Sequence, residues 1–373
     1  MTEYGGRTMN NWKIVSGFRN GFCVFVMFAL LLYAWTPAGA EYNQDELLSQ
    51  GADTSITITG YTDFQNAFRF LEEGDKVAVI SPSALPSQKQ FETTMEGLRE
   101  WGYIPIEGKY VCCEGRTLDN CIEDLLWALE DPEIKAVFCV RGGYASTEVM
   151  DRLPLSVIEL AEKPIIGYSD ITVYLSAWTQ AGLPSIHASM ASAFKDIPEE
   201  CREAEKRVLR GEIPSYICQG SEFDLEGTAE GILVGGNLST FSSVLNTAYD
   251  CTSMKEPFIL FLEEVEEDYE HIHRYLTVLE HFGVLDRAAG ILFGEWINYP
   301  AECETYNGNS RGGRFQSAAE MVSREFMADR DIPVAFGFPA GHGDANYPLL
   351  MGTKVKLAIS EKSYSLEWLN PTE

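Results

Sequence analysis

The chain has 373 residues, 45% of them hydrophobic and 23% charged, which is enough for roughly two domains with their own cores and is unlike disordered or fibrous sequences. Its formal charge of −28, from 28 basic and 56 acidic residues, with no basic run longer than two residues, excludes ordinary nucleic-acid binding, which needs Lys and Arg concentrated against phosphate. A surface this acidic also slows an anionic ligand unless cations near the site reverse the local potential, so a small or peptidic partner is expected.

Residues 1–40 read as a signal peptide. Arg7, Lys13 and Arg19 form a positive leader, Gly21–Trp35 is apolar, and Ala38, Gly39 and Ala40 are a small-residue cleavage signal before Glu41. The competing reading is an uncleaved anchor, but the apolar core is shorter than the roughly 20 residues a span requires. Export followed by cleavage after Ala40 is expected, to the periplasm or the medium, with no stable membrane span afterwards. Eight cysteines then remain, an even count that permits disulfides in an oxidising compartment without revealing their pairing.

Residues 41–69 are polar, with a Thr-rich patch at 54–59, and read as an irregular extension. From residue 70 to 195 strands alternate with helices. Lys76–Ile80 is an apolar strand, Gln88–Trp101 a helix stopped by Gly102, Asp119–Leu129 a second helix, and Ile134–Val140 a buried strand. A helix over Val149–Ala161, a strand over Pro164–Gly167 and a helix over Ile171–Ala181 follow. This alternation predicts an α/β fold with a parallel sheet covered on both faces, whose sites lie at the carboxyl ends of the strands. A Glu-rich linker is expected over 196–227. A second α/β or β-rich domain is expected over 228–370, with strands at Gly231–Asn237, Phe258–Leu262, Gly290–Gly294 and Val355–Ile359 and helices at His271–His281 and Ser317–Met327.

No phosphate-binding loop, dinucleotide fingerprint, His-Glu-x-x-His or paired Cys-x-x-Cys occurs, which removes most support for nucleotide and metal chemistry. His271 and His273, two apart on a helix, point to different faces and make no ligand pair. What remains is a set of strand ends. Ser169 follows a buried strand and opens a helix, the placement of a nucleophile on a sharp turn, although an N-cap serine has the same placement. Arg141, Gly142, Gly143 and Tyr144 end the preceding strand, and the two glycines leave amides free for a developing oxyanion together with the amide of Asp170. The alternative for them is a tight turn. His342, in the Gly337–Gly343 loop, is the histidine best placed as a base. Glu263 or Glu264, at the end of an apolar strand, is the orienting acid, and spacing does not choose between them.

The ordered segments Gly74–Ser83, Arg141–Tyr144, Pro164–Thr172, His187, Gly235–Leu238, Leu260–Val265 and Gly337–His342 resemble the successive motifs of the LD-carboxypeptidase family of serine peptidases. That family holds the muramoyl-tetrapeptide carboxypeptidases and the microcin-immunity peptidases, and the resemblance spans about residues 70–368. It implies a flavodoxin-like amino-terminal domain with Ser169 as nucleophile and a smaller carboxy-terminal domain supplying Glu263 as the acid and His342 as the base. It also implies an oxyanion hole from Gly142, Gly143 and Asp170, a homodimer, and no metal or other cofactor. The expected substrate is a peptidoglycan-derived tetrapeptide, cleaved at an L,D bond to release D-alanine. Hydrolysis of a peptide-nucleotide toxin and catalytically silent binding of wall peptides are the alternatives.

Arg141, Tyr144, His187 and Asn237 are the expected pocket residues, with Arg141 either gripping a carboxylate or held in a structural ion pair. The chain departs from the family pattern at Ala145, where glycine is usual, at His187-Ala-Ser instead of His-Gly-Pro, and at His273-Arg274 instead of Asp-Arg.

Overall fold

The computed structural model describes residues 56–63, 70–297, 315 and 317–369. The expected leader lies outside them, as do Cys23 and Cys303. In chain order the main elements of the first half are β1 (Ile56–Asp63), β2 (Lys76–Ile80), α1 (Gln88–Glu100), β3 (Ile104–Glu107), α2 (Leu118–Glu130), β4 (Ile134–Cys139), α3 (Ser146–Met150), α4 (Leu155–Ala161), β5 (Ile165–Gly167), α5 (Thr172–Gln180) and β6 (Ser185–His187). The second half continues with α6 (Glu199–Leu209), β7 (Glu212–Gln219), β8 (Gly227–Asn237), α7 (Leu238–Ser242), β9 (Phe258–Val265), α8 (Tyr269–His281), α9 (Val284–Arg287), β10 (Gly290–Ile297), α10 (Ala318–Val322), β11 (Val334–Ala335), β12 (Leu349–Met351), β13 (Lys354–Ser360) and β14 (Ser363–Trp368).

Two sheets result. The first has the order β12–β6–β5–β4–β2–β3 and is parallel except for β12, which pairs antiparallel with β6. The second has the order β1–β7–β14–β13–β8–β9–β10–β11. In it β8 to β11 run parallel, while β1, β7, β14 and β13 extend it antiparallel. The near-continuous apolar runs of β2, β4 and β9 are buried along almost their whole length, as parallel strands covered on both faces must be.

Local chemistry sets the helix boundaries. Ser87 and Gln90 close a capping box on α1, Thr117 and Asn120 do the same for α2, and Gly102, at φ +92, takes the left-handed turn after α1. Lys163 is buried, and its Nζ donates to the carbonyls of Ala128, Leu129 and Asp131 at 3.0, 2.7 and 2.6 Å. It thereby satisfies the orphan end of α2 and ties it to the start of β5.

Three expectations change. The extension at 41–69 is not irregular throughout, because β1 lies within it and pairs with β7. The stretch 196–227 does not behave as a linker, because it forms α6 and β7, and β7 is a strand of the second sheet. The helix expected over Val149–Ala161 is two helices, because Pro154 lacks the N–H to continue α3 and instead opens α4. All seven described cysteines are free thiols, and no described helix is long and apolar enough to cross a membrane.

The two halves meet where α5 runs past β8. The Asn237 amide donates to Thr172 Oγ1 at 3.0 Å, Ser176 Oγ donates to the carbonyl of Tyr249 at 2.7 Å, and Gly236 has no room for a side chain against Thr172. This seam brings the carboxyl ends of β4, β5 and β9 to one place.

Candidate active site

β5 ends at Gly167, Tyr168 is extended, and Ser169 turns the chain at φ +65 into a short 3-10 turn that leads to α5. A non-glycine residue in the left-handed region costs about 1–2 kcal/mol, and such strain is typical of a residue whose side chain must be aimed. The neighbouring strand end leaves space for it. A Cβ on Gly142 would stand 2.8 Å from Ser169 Cβ, 3.0 Å from its Oγ and 3.2 Å from the Asp170 amide nitrogen. The absent side chain therefore leaves a small volume bounded by the serine oxygen and a backbone donor, the geometry in which an oxyanion is stabilised.

Asp170 ties this turn to its surroundings. Its buried carboxylate accepts from the hydroxyl of Ser83 and from both the amide (3.1 Å) and the hydroxyl (2.7 Å) of Ser146. Three loops, after β2, β4 and β5, are thus pinned by one side chain. Ser146 follows Ala145, which sits at φ +116, ψ −9, a backbone conformation that suits glycine. Alanine thus occupies a backbone conformation that favours glycine. Ala145→Gly is expected to raise stability by about 1 kcal/mol, since relief of the strain exceeds the glycine's extra unfolded-state entropy. Urea titration of the two proteins would read this as a higher midpoint, and a lower one would refute it.

Across the cleft, Glu263 is fully buried near the end of β9, and His342 lies in the loop after β11. His342 Nδ1 and Glu263 Oε2 are 2.8 Å apart. Two glycines make this possible: a Cβ on Gly341 would come within 2.5 Å of Glu263 Oε2, and one on Gly294 within 2.9 Å of Glu263 Cβ. With Nδ1 engaged, Nε2 is the ring nitrogen free to exchange a proton, and Tyr168 packs on the imidazole at 4.8 Å between ring centroids. Burial pulls His342 down, but the hydrogen bond and charge of Glu263, with Glu264 and Glu266 behind them, outweigh it and hold the imidazole above its ordinary 6.5. Ser169 and His342 line one cleft of about 420 Å³. No hydrogen bond joins them among the described residues, as is common before substrate tightens a site.

Glu264 faces the other way. It accepts from Asn237 Nδ2 (2.7 Å) and the Ser239 amide (2.7 Å), holding the start of α7, so strand alternation leaves Glu263 as the glutamate of the pair that faces His342.

The other expected pocket residues fall in different places. Arg141 lines the cleft and forms no ion pair among the described residues. Its Nε donates to the Gly142 carbonyl at 3.2 Å and its Nη1 to that of Leu85 at 3.4 Å. Tyr144 is 75% exposed and is absent from the lining. Asn237 is buried and caps α7, its Oδ1 accepting from Thr240. His187 is 0% exposed behind Tyr168, edge-on to Phe261, and burial followed by the His342 charge pushes it down to about 3. The last two turn inward because a strand-end side chain goes where the packed neighbour leaves room.

Sequence reasoning did not single out Tyr168, Lys89 or Asp196, which also line the cleft, nor Glu295. Burial, then the charges of Asp344 and Glu263, push Glu295 up to about 7, and it occupies the space a side chain on Gly343 would need. Only Tyr168 carried a signal, its adjacency to Ser169.

Known proteins share the two halves of this fold. The LD-carboxypeptidase N-terminal domain matches residues 77–188 and the C-terminal domain residues 230–357. The chain is 30% identical to a Bacillus subtilis protein described as a probable murein peptide carboxypeptidase, over 80% of this chain and 93% of that one. It is 28% identical to the murein tetrapeptide carboxypeptidase of Pseudomonas aeruginosa, over 73% and 89%. Among solved structures, the muramoyltetrapeptide carboxypeptidase of Oxalobacter formigenes superposes with a TM-score of 0.68 at 21% identity, covering 79% of this chain and 99% of that one. The microcin C7 self-immunity protein MccF superposes with 0.68 at 20%, covering 82% and 99%. These two show a shared fold. The matched domains and the curated relatives show more: the chain belongs to the LD-carboxypeptidase family, and is a peptidase.

Proposed function

We propose that the chain is a serine-type LD-carboxypeptidase that removes the terminal D-alanine from peptidoglycan-derived tetrapeptides outside the cytoplasm. The observation that carries this reading is the pairing of His342 with buried Glu263 at 2.8 Å, facing a cleft shared with Ser169 on its left-handed turn. Ser169 Oγ attacks the carbonyl carbon of the L-configured residue and passes its proton to His342 Nε2. Glu263 holds the Nδ1 proton and stabilises the imidazolium. Negative charge on the carbonyl oxygen is met by the Asp170 amide and the Gly142–Gly143 turn. The intermediate collapses, the C–N bond breaks, and the amine of D-alanine leaves with the proton from His342. Water, deprotonated by the same imidazole, then hydrolyses the acyl-enzyme and restores Ser169.

The curated relatives' murein substrates and the leader at residues 1–40 support a wall peptide met after export. The test is mass spectrometry of purified muropeptides incubated with the exported protein, expected to begin at Glu41, beside its Ser169→Ala variant. Loss of one alanine from tetrapeptides with the wild type alone is the expected result. Equal turnover by both proteins would remove Ser169 from the mechanism. Unchanged muropeptides in both would transfer the same residues to another amide, with peptide-nucleotide conjugates next.

A further inference from the structure

A carboxypeptidase differs from an endopeptidase in reading the free carboxylate of the residue it releases. In a single leaving amino acid that carboxylate lies two covalent bonds beyond the scissile nitrogen, roughly 2.5 Å away, so whatever reads it must stand in the nucleophile's own cleft. The chain has twice as many acidic as basic residues, and a carboxylate approaching it is repelled unless the local field is reversed. Two cations supply that reversal. Lys89, in the first turn of α1, and Arg141, one residue before the Gly142–Gly143 turn, both line the cleft of Ser169 and His342.

Neither cation is ion-paired among the described residues, whereas Lys76, Lys109, Lys195 and Lys354 each pair with a glutamate. Arg141 spends two of its N–H groups on the carbonyls of Gly142 and Leu85, which orients the guanidinium and leaves the other donors for a planar anion. The amino-terminal end of the 13-residue α1 adds a partial positive charge on the same side. The charges of Glu263, Glu264 and Glu266 act on His342 from behind the cleft surface, and none of these three carboxylates lines the cleft. Asp196 is the one carboxylate on the cleft lining itself, and no hydrogen bond or ion pair joins it to Lys89 or Arg141 among the described residues.

We propose that Lys89 and Arg141 form the subsite for the free carboxylate of the leaving residue, so that the peptide lies with its C-terminus toward the amino-terminal end of α1. The proposal rests on the serine-peptidase reading above and goes beyond it in assigning direction and exopeptidase selectivity. Lys89 is exposed on a helix surface, so its replacement leaves the core and the proposed proton relay untouched.

The experiment is calorimetric titration of the Ser169→Ala protein with acetyl-L-lysyl-D-alanine and with its C-terminal carboxamide. The acid is expected to bind about tenfold more tightly than the amide, the scale of one charge-assisted contact. Lys89→Met and Arg141→Met, each added to Ser169→Ala, should erase most of that preference, and Lys89→Arg should keep it. Equal affinity for acid and amide, including no measurable binding of either, overturns the proposal, as does a preference that survives Lys89→Met. Alanine release from muropeptides by the wild type is scored separately. Release without acid preference sinks the subsite alone, and an acid preference lost in Lys89→Met without alanine release sinks the murein reading alone.

Discussion

Glu263→Gln is expected to lower kcat/KM on a tetrapeptide substrate by about 10⁴-fold with the folded state intact, the loss seen when a triad acid is replaced by its amide. The amide fills the same buried volume between Gly294 and Gly341 but carries no charge to stabilise the imidazolium, and its NH₂ can force the wrong tautomer on His342. The pH profile gives an independent reading. His342 must be neutral to act as a base, so kcat/KM rises with pH through the imidazole's pKa, which burial lowers and Glu263 more than restores to above 6.5. In Glu263→Gln the raising interaction is gone, so the acid limb should move to lower pH while the plateau falls. Glu264→Gln is the contrasting variant. Its bonds to Asn237 and the Ser239 amide hold α7, so it should cost about 1–3 kcal/mol of stability and leave the plateau near that of the wild type. If the large kinetic loss followed Glu264 instead, the assignment of the acid would be reversed.

The parts of the site legible in the sequence are those whose chemistry is local. Ser169 after a buried strand, two glycines after Arg141, and His342 inside a Gly/Pro loop are all readable as strand ends. The choice of Glu263 over Glu264 was open on spacing and followed only from the ordered motifs. The geometry gives it a cause, since β9 alternates and Glu264 is taken by α7. The illegible parts depend on partners far away in the chain. β1 reads as a polar stretch because alternating Ile and Thr bury little by themselves, and its strand identity comes from β7, some 155 residues on. The stretch 196–227 reads as a linker because Glu is frequent in it, yet the hydrophobic stripe of Cys201, Ala204, Val208 and Leu209 on α6 is buried. His187 and Asn237 sit at strand ends as pocket residues would, and only packing against Phe261 and Glu264 turns them inward. Lys89 is one more polar residue on an exposed helical turn until Arg141 and Ser169 are seen beside it.

Asp170→Ala is expected to cost about 3–5 kcal/mol of stability and, in the protein that remains folded, to lower kcat by about 10²–10³-fold. The stability loss follows from the three donors left behind in a buried site, the hydroxyl of Ser83 and the amide and hydroxyl of Ser146, at roughly 1–3 kcal/mol for each that finds no other acceptor. The Ser83 hydroxyl can turn to a new partner, which sets the total below the full sum. The kinetic loss is of the size found when one oxyanion donor is removed, and it arises by a different route from that of Glu263→Gln. Asp170 does not touch the reacting atoms through its side chain. It fixes Ser169 at φ +65 and holds the Gly142–Gly143 turn opposite through Ser146. Losing the tie lets the strained turn relax, and both the serine oxygen and the amide beside it leave their places together. Asp170→Asn separates the two effects, because one carbonyl oxygen survives and can still accept from Ser146. Urea titration should show most of the stability regained, and kcat should recover in step with it. A variant that recovers stability without kcat would assign the aspartate a charge-dependent part in the chemistry, and a variant that recovers neither would show that the three donors converging on Oδ2 need an ionised oxygen to hold the three loops.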